Sequence, residues 1–361
     1  MRISSKNAVT INAIDLFCGA GGLSTGLEKS GIKILGAVEI DNNASLTYKA
    51  NHPQTMVFEQ DIQNLSGADI LSKLQVEELD LVVGCPPCQG FSSLTFKNKK
   101  EDERNLLVLE FLRIVREIKP KAVMLENVPG LIGHGNKLFS LLYNGLSDMG
   151  YLIDYKILQV ADYGVPQKRR RLVLLAGHGF KIQIPNPTNS EKGDNGLPSW
   201  KTLYDAIGKF TPPSFVSEIK GRSYASLNWH VARDMKEINK KRLACLKAGD
   251  ARYEIPEELR PNCHKGDKKG FGNVYGRMRW DEPSVTITRG CTTISMGRFG
   301  HPSENRALSV REAATIQTFP LNYKFKVNSI EKACVLIGNA FPCKLAQKLG
   351  DTIVTALQSH L

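Results

Sequence analysis

The first 180 residues alternate short apolar runs with stretches of helical periodicity, and that pattern leaves few folds open. Strand, crossover helix, strand is the signature of a parallel sheet with helices on its faces. Ala13 to Phe17, Ile34 to Ile40, Leu79 to Val83, Ala122 to Leu125 and Leu172 to Ala176 read as strands. Such runs are far too short to cross a membrane and suit strands buried on both faces. Leu107, Phe111, Ile114 and Ile118 recur at helical spacing, and Pro120 stops that helix. A doubly wound α/β domain with a mostly parallel sheet is the expected architecture.

After about residue 180 the texture changes, as Pro185, Pro187, Pro198, Pro212 and Pro213 punctuate the chain and periodicity fades. A second, smaller and less regular domain is expected there. Lys and Arg number 48 against 36 Asp and Glu, a surplus of +12 that favours a polyanionic partner. Between Lys201 and Trp280 stand 17 Lys and Arg against 9 Asp and Glu. All three tryptophans, Trp200, Trp229 and Trp280, fall in the same part with Gly266, Gly270, Gly272 and Gly276. Basic, aromatic and glycine-rich loops suit a surface that wraps nucleic acid, with a solvated basic face as the alternative. The N-terminal stretch is interrupted by Asn7, Thr10, Asn12 and Asp15, so no export signal is expected. Eight scattered cysteines then read as reduced thiols in a cytosol-like compartment.

Residues 15–27, DLFCGAGGLSTGL, place Gly19, Gly21 and Gly22 between a strand and a helix, where glycine lets backbone approach a ligand closely. Glu39 ends the next strand, 24 residues after Asp15, where nucleotide-binding sheets hold a ribose with a carboxylate. Asp61 follows a third strand. Three acids at strand ends repel a pyrophosphate, so an adenosine-type ligand without phosphates is expected. S-adenosylmethionine, cationic at sulfur, fits. Taken singly, each acid reads equally well as a helix N-cap or a surface carboxylate.

Residues 84–92, GCPPCQGFS, follow a strand. Cys85 and Cys88 form a Cys-x-x-Cys that could be a redox dithiol or half a metal site, but no second cluster completes it, and no metal is expected. The alternative is a nucleophilic Cys88 on a rigid Pro86-Pro87 turn at the carboxyl edge of the sheet. A nucleophile beside a methyl donor suits an acceptor that needs covalent activation. Cytosine C5 is one: thiolate addition at C6 turns it into an enamine carbon, provided that an acid serves N3. Glu126, in LENVPG, is placed for that role, with Asn127 holding the loop. In QKRRR, Gln167, Arg169 and Arg171 share one face by period-2 alternation, and Arg169 could reach the base or its phosphate.

Taken in order, the glycine loop, Glu39, Pro87-Cys88-Gln89, Glu126-Asn127-Val128 and Gln167-x-Arg169-x-Arg171 resemble the DNA cytosine-5 methyltransferases. Arg104-Asn105-Leu106, the segment 306–320 and Gly338-Asn339-Ala340-Phe341-Pro342 extend the resemblance over nearly the whole chain. It implies the class I S-adenosylmethionine-dependent methyltransferase fold. Cys88 would be the nucleophile and Glu126 the N3 acid, supported by Arg169. Phe17 would stack on the adenine, Glu39 hold the ribose, Asp61 take the adenine amino group and Asn339 close the pocket. Asp15, Gly19, Gly21, Gly22, Leu23, Ile40, Ile62, Pro87 and Ala340 complete the expected cofactor set. The resemblance divides the chain into a catalytic domain, 1–180 plus 332–361, and a target-recognition domain, 181–331. It implies a base swung out of double-stranded DNA, because C6 is inaccessible in the stack. With no long regulatory extension, a monomeric bacterial or phage modification enzyme is expected, with a cognate restriction endonuclease as a possible separate partner. The tRNA-methylating branch usually carries a Cys-Phe-Thr tripeptide that this chain lacks. A catalytically dead relative would have lost Cys88 or Glu126, and a thioredoxin-like oxidoreductase leaves the other motifs unexplained.

Overall fold

The computed structural model describes residues 10–87, 106–265 and 272–360. The chain forms two compact units. One runs to Gln159 and takes in Arg170–Asn186 and everything from Cys343 onward; the other comprises Val160–Arg169 and Pro187–Pro342.

The first unit holds a seven-stranded sheet of β1 (Asn12–Leu16), β2 (Lys33–Val38), β3 (Met56–Phe58), β4 (Leu81–Gly84), β5 (Ala122–Asn127), β6 (Tyr151–Gln159) and β7 (Arg170–His178). Its order is β3-β2-β1-β4-β5-β7-β6. β1 to β5 pair in parallel, and β7 and β6 add antiparallel. Helices α1 (Gly22–Lys29), α2 (Asn42–Asn51), α3 (Gly67–Leu74), α4 (Leu107–Ile118) and α5 (Asn136–Asp148) lie between the strands in sequence. β4 and β5 are buried along their whole length, as continuous apolar runs require. α4 turns Phe111, Leu112, Ile114 and Val115 into the core formed with Val82, Val123 and Leu125. It ends where Lys119 adopts a left-handed conformation (φ 53°) ahead of Pro120, because a residue preceding proline avoids the helical region. β6, absent from the sequence reading, is an edge strand with Leu152 and Tyr155 exposed, so it lacks the apolar run that marks the central strands.

The second unit has little regular structure: a two-residue parallel pair, β8 (Ser214–Phe215) and β9 (Val231–Ala232), and helices α6 (Leu203–Ile207), α7 (Glu237–Ala244), α8 (Val310–Ile316) and α9 (Ile330–Asn339). Irregular backbone leaves buried carbonyls without ladder partners, and buried arginines supply the donors. Arg277 donates to the carbonyls of Leu243, Leu246, His301 and Glu304. Arg311 does the same for Asn228, Pro320 and Tyr323. Arg306 pairs with Glu312 through two 2.8 Å bonds, and Glu312 also closes the capping box of α8 with Ser309. Part of the basic surplus is therefore internal mortar rather than surface. The tryptophans differ, Trp200 and Trp280 being half-buried. Trp229 is buried with its indole N–H on the Phe325 carbonyl; those of Trp200 and Trp280 are bonded to Asp162 and Ser303.

The chain re-joins the first unit as α10 (Cys343–Gln358), and the units divide at 186/187 and 342/343 rather than at 180/181 and 331/332. α9 stays with the second unit because Gly338 sits on its loop at 288–289: a Cβ there would lie 2.4 Å from the Thr288 carbonyl carbon. α10 packs on α1 at a separation that only glycine permits. A Cβ at Gly26 would lie 2.3 Å from the Cys343 carbonyl oxygen, and one at Gly350 would lie 2.5 Å from Ser30 Oγ. Among the described residues no helix is long and apolar enough to cross a membrane.

Candidate active site

The strand order reverses direction between β1 and β4, and such a switch point opens a crevice at the carboxyl ends of the strands. Register aligns those ends, pairing Leu16 with Gly84 and Gly84 with Leu125. The glycine loop, Cys85-Pro86-Pro87 and Glu126-Asn127 therefore emerge side by side.

Phe17 (φ 61°), Gly19 (φ 56°) and Gly21 (φ 85°) carry the loop through the left-handed region before α1 begins at Gly22. A Cβ at Gly19 would meet no atom within 4 Å, so that glycine faces open space rather than a packed neighbour. Its N–H donates to Glu39 Oε2 at 2.8 Å, while the Asp41 N–H donates to Oε1 at 2.8 Å. Both bonds fix the carboxylate at the end of β2, although burial pushes its pKa above the ordinary value. Asp61 accepts from the Gln63 N–H at 3.0 Å as the N-cap of a short 3₁₀ turn that begins at buried Ile62. Ile40 is 69% exposed, and Leu23 is buried on α1.

Asp15 is fully buried, with Ala37 and Val83 beside it on the flanking strands. Burial pushes its pKa up to about 7 against the opposing bond from Ser24. Its Oδ2 accepts from Ser24 Oγ at 2.6 Å, and its Oδ1 has no partner among the described residues. An acidic pocket with a fixed ribose-type carboxylate, an open glycine and an orphaned carboxylate oxygen fits a nucleoside bearing a positive charge.

At the neighbouring strand ends, the Asn127 side chain donates to the Pro86 carbonyl at 3.0 Å and fixes the proline turn. Glu126 is buried, and its Oε1 lies 2.7 Å from Arg171 Nε. The register explains this pair: Glu126 sits opposite Val173, and Arg171, two residues before Val173, occupies the diagonal position on the same face. Arg169 was expected to support Glu126; the ion pair observed is with Arg171. Arg169 belongs to the second unit, where its guanidinium donates to the carbonyls of Ile287, Gly338 and Ala340. Gln167 shares that scaffold by bonding Gln317 and the Ile287 N–H. Alternation in sequence put both arginines on one face; only the start of β7 at Arg170 separates their roles. In the second unit Asn339 ends α9 exposed and Ala340 caps it.

Burial, with the nearby Glu126 and Asp15 charges, pushes the Cys85 thiol well above the ordinary range, which disfavours the thiolate form. Cys88, Gln89, Arg104 and Asn105 lie outside the described residues. Ser24, Tyr48 and Arg171 are the site residues that sequence reasoning missed.

Residues 11–355 match the family model for C-5 cytosine-specific DNA methylases. The chain belongs to that family. The methylase is 34% identical over 353 residues to the Type II methylase M.HgiDII of Herpetosiphon aurantiacus, covering 96% of this chain and 95% of the relative. It is 35% identical over 350 residues to the Type II methyltransferase M1.HphI of Haemophilus parahaemolyticus, covering 96% and 87%. Among solved structures, the Schizosaccharomyces pombe Dnmt2 methyltransferase superposes with a TM-score of 0.65 at 20% identity, covering 96% of this chain and 99% of that one. That likeness concerns the fold. The methylase transfers a methyl group from S-adenosylmethionine to C5 of cytosine in DNA, the activity of its family.

Proposed function

We propose that the transfer runs through a covalent adduct of Cys88 on cytosine C6, with Glu126 as the acid at N3 and Arg171 as its clamp. The Glu126–Arg171 pair at 2.7 Å carries this reading, because it holds a buried carboxyl in one orientation beside the turn that leads to Cys88. Thiolate addition at C6 forms a C–S bond and pushes the ring electrons toward N3, where Glu126 delivers a proton. C5 is then an enamine carbon. S-adenosylmethionine, when bound, supplies an electrophilic methyl group. Once the C5 electron pair has taken the methyl, N3 returns its proton to Glu126, and loss of the C5 hydrogen as a proton forms the C5–C6 double bond and sends the C–S electrons back to sulfur, expelling the thiolate and restoring the aromatic ring.

Asp15, Phe17, Gly19, Glu39 and Asp61, with the neighbouring loop residues, would hold the methyl donor. The target cytosine would be swung out of double-stranded DNA, since its C6 is shielded in the stack. The chain from 187 to about 331 would read the target. Its relatives are named Type II methylase and Type II methyltransferase, which supports a modification enzyme; it would act as a monomer in the cytoplasm, with any cognate endonuclease acting separately. Bisulfite sequencing of DNA from cells that express the chain tests this directly. One short sequence protected at one cytosine is expected, and uniformly converted DNA would overturn it.

A further inference from the structure

Two buried side chains stand behind the orphaned oxygen of Asp15. Ser24, in the first turn of α1, donates to Asp15 Oδ2 at 2.6 Å, and the Tyr48 hydroxyl on α2 lies 2.7 Å from the same Ser24 oxygen. All three side chains are 0% exposed. Ser24 has one hydrogen, and giving it to Asp15 leaves its lone pairs to accept from Tyr48. Tyr48 is suited to be that donor, because burial first, then Cys18 and Asp15, pushes its phenol well above the ordinary value. The Tyr48 ring also packs against His52, tilted at 32° with 4.4 Å between ring centroids, and His52 is itself bonded to Glu28 at 2.9 Å.

A chain of donors that ends on one oxygen of a buried carboxyl fixes its plane and leaves the second oxygen with a set direction. A buried acceptor without a partner is rare in folded proteins and points to a missing group. Resting on the reading above that this pocket takes S-adenosylmethionine, we propose that Tyr48 and Ser24 are positioning residues that aim Asp15 Oδ1 at the positively charged amino-acid end of the methyl donor. Uptake of the ligand is then coupled to loss of a proton from Asp15. Apart from the Ser24 bond, the groups facing Asp15 do not favour its ionised form: Glu39 beyond β2 and Glu28 on α1 are acidic, while Cys18 in the loop, Cys85 beyond β4 and Tyr48 on α2 are neutral. A cation arriving at Oδ1 supplies the missing counter-charge.

The sign follows from the raised value: below about 7 the carboxyl of the empty pocket is protonated, and above it the carboxyl is ready to accept. Calorimetric titration with S-adenosylmethionine from pH 5.5 to 8.5, in the absence of DNA, reads this without turnover. Asp15→Asn serves as the reference that carries the ligand's own titration. Relative to that reference, wild-type affinity should be about tenfold weaker at pH 6 than at pH 8. Ser24→Ala removes the direct donor and should move the midpoint upward, weakening binding at pH 7 by a further factor of about 3–10. Tyr48→Phe keeps the ring and its packing, and should shift the midpoint the same way by less. If wild type and Asp15→Asn bind with parallel pH profiles, the proposal is wrong. It is equally wrong if both Tyr48→Phe and Ser24→Ala fold, bind and leave the midpoint unmoved. Absence of binding by wild type at every pH would overturn the cofactor reading itself, and the proposal with it.

Discussion

Arg169 and Arg171, two residues apart in one basic run, should fail in opposite ways. Arg171 Nε lies 2.7 Å from Glu126 Oε1, with the two side chains 15% and 11% exposed. A charge-assisted bond of this kind contributes about 1.5–3 kcal/mol, so its loss in Arg171→Ala should lower kcat by about 10- to 150-fold. Glu126 would lose its orientation while the donor pocket at the glycine loop is untouched, so affinity for S-adenosylmethionine should hold. Arg169 instead donates to three carbonyls, of Ile287 at 2.9 Å, Gly338 at 3.1 Å and Ala340 at 3.4 Å. Arg169→Ala removes the bonds to the Ile287 and Gly338 carbonyls, while Ala340 keeps its bond from Gln317, and should cost about 3–5 kcal/mol of stability, a lowered melting temperature with turnover at low temperature largely kept. The assay is paired: transfer of labelled methyl groups to DNA at about 20 °C, and unfolding followed by circular dichroism. If folded Arg169→Ala loses as much kcat as Arg171→Ala, the assignment drawn from strand register is wrong.

Glu126→Gln should lower turnover by about 10²- to 10⁴-fold with a modest change in donor affinity, and Asp61→Ala should do the reverse. The reverse pattern in Glu126→Gln, measured by titration beside steady-state kinetics, would show the two roles misassigned. Gly26→Ala would place a methyl 2.3 Å from the Cys343 carbonyl oxygen, and denaturant unfolding should show a loss of about 1–3 kcal/mol. Cys85→Ala should keep methyl transfer within about fivefold, because a thiol held protonated by burial and by Glu126 has no nucleophilic task. Abolished transfer by a folded Cys85→Ala protein would move the nucleophile to that position.

The parallel core was legible because strands covered on both faces must be apolar throughout, as β4 and β5 are. β6 was not, since an edge strand with Leu152 and Tyr155 exposed has no such run. Acids at strand ends were legible singly: Glu39 and Asp61 stand at the carboxyl ends of β2 and β3, on bonds from Gly19 and Gln63. What escaped is what depends on register and on long-range packing. The choice of Arg171 over Arg169 is made by one residue of strand boundary, and the meeting of Tyr48 with Ser24 by how α2 lies against α1. Composition pointed to nucleic acid but did not separate surface from interior in the second unit, where Trp229 and Arg277 are buried and Arg277 bonds the carbonyls of irregular backbone.

The central claim is the attack of Cys88 on C6, and 5-fluorocytosine at the target position tests it most directly. After methylation the C5 substituent must leave as a positive ion before sulfur can be expelled; hydrogen does so as a proton, and fluorine cannot. A duplex carrying the fluorinated base, incubated with the enzyme and S-adenosylmethionine, should yield a protein–DNA complex that survives boiling in detergent. The complex should be absent without the methyl donor and absent for Cys88→Ser. A wild-type enzyme that methylates ordinary DNA at that site yet never forms this adduct would contradict the account.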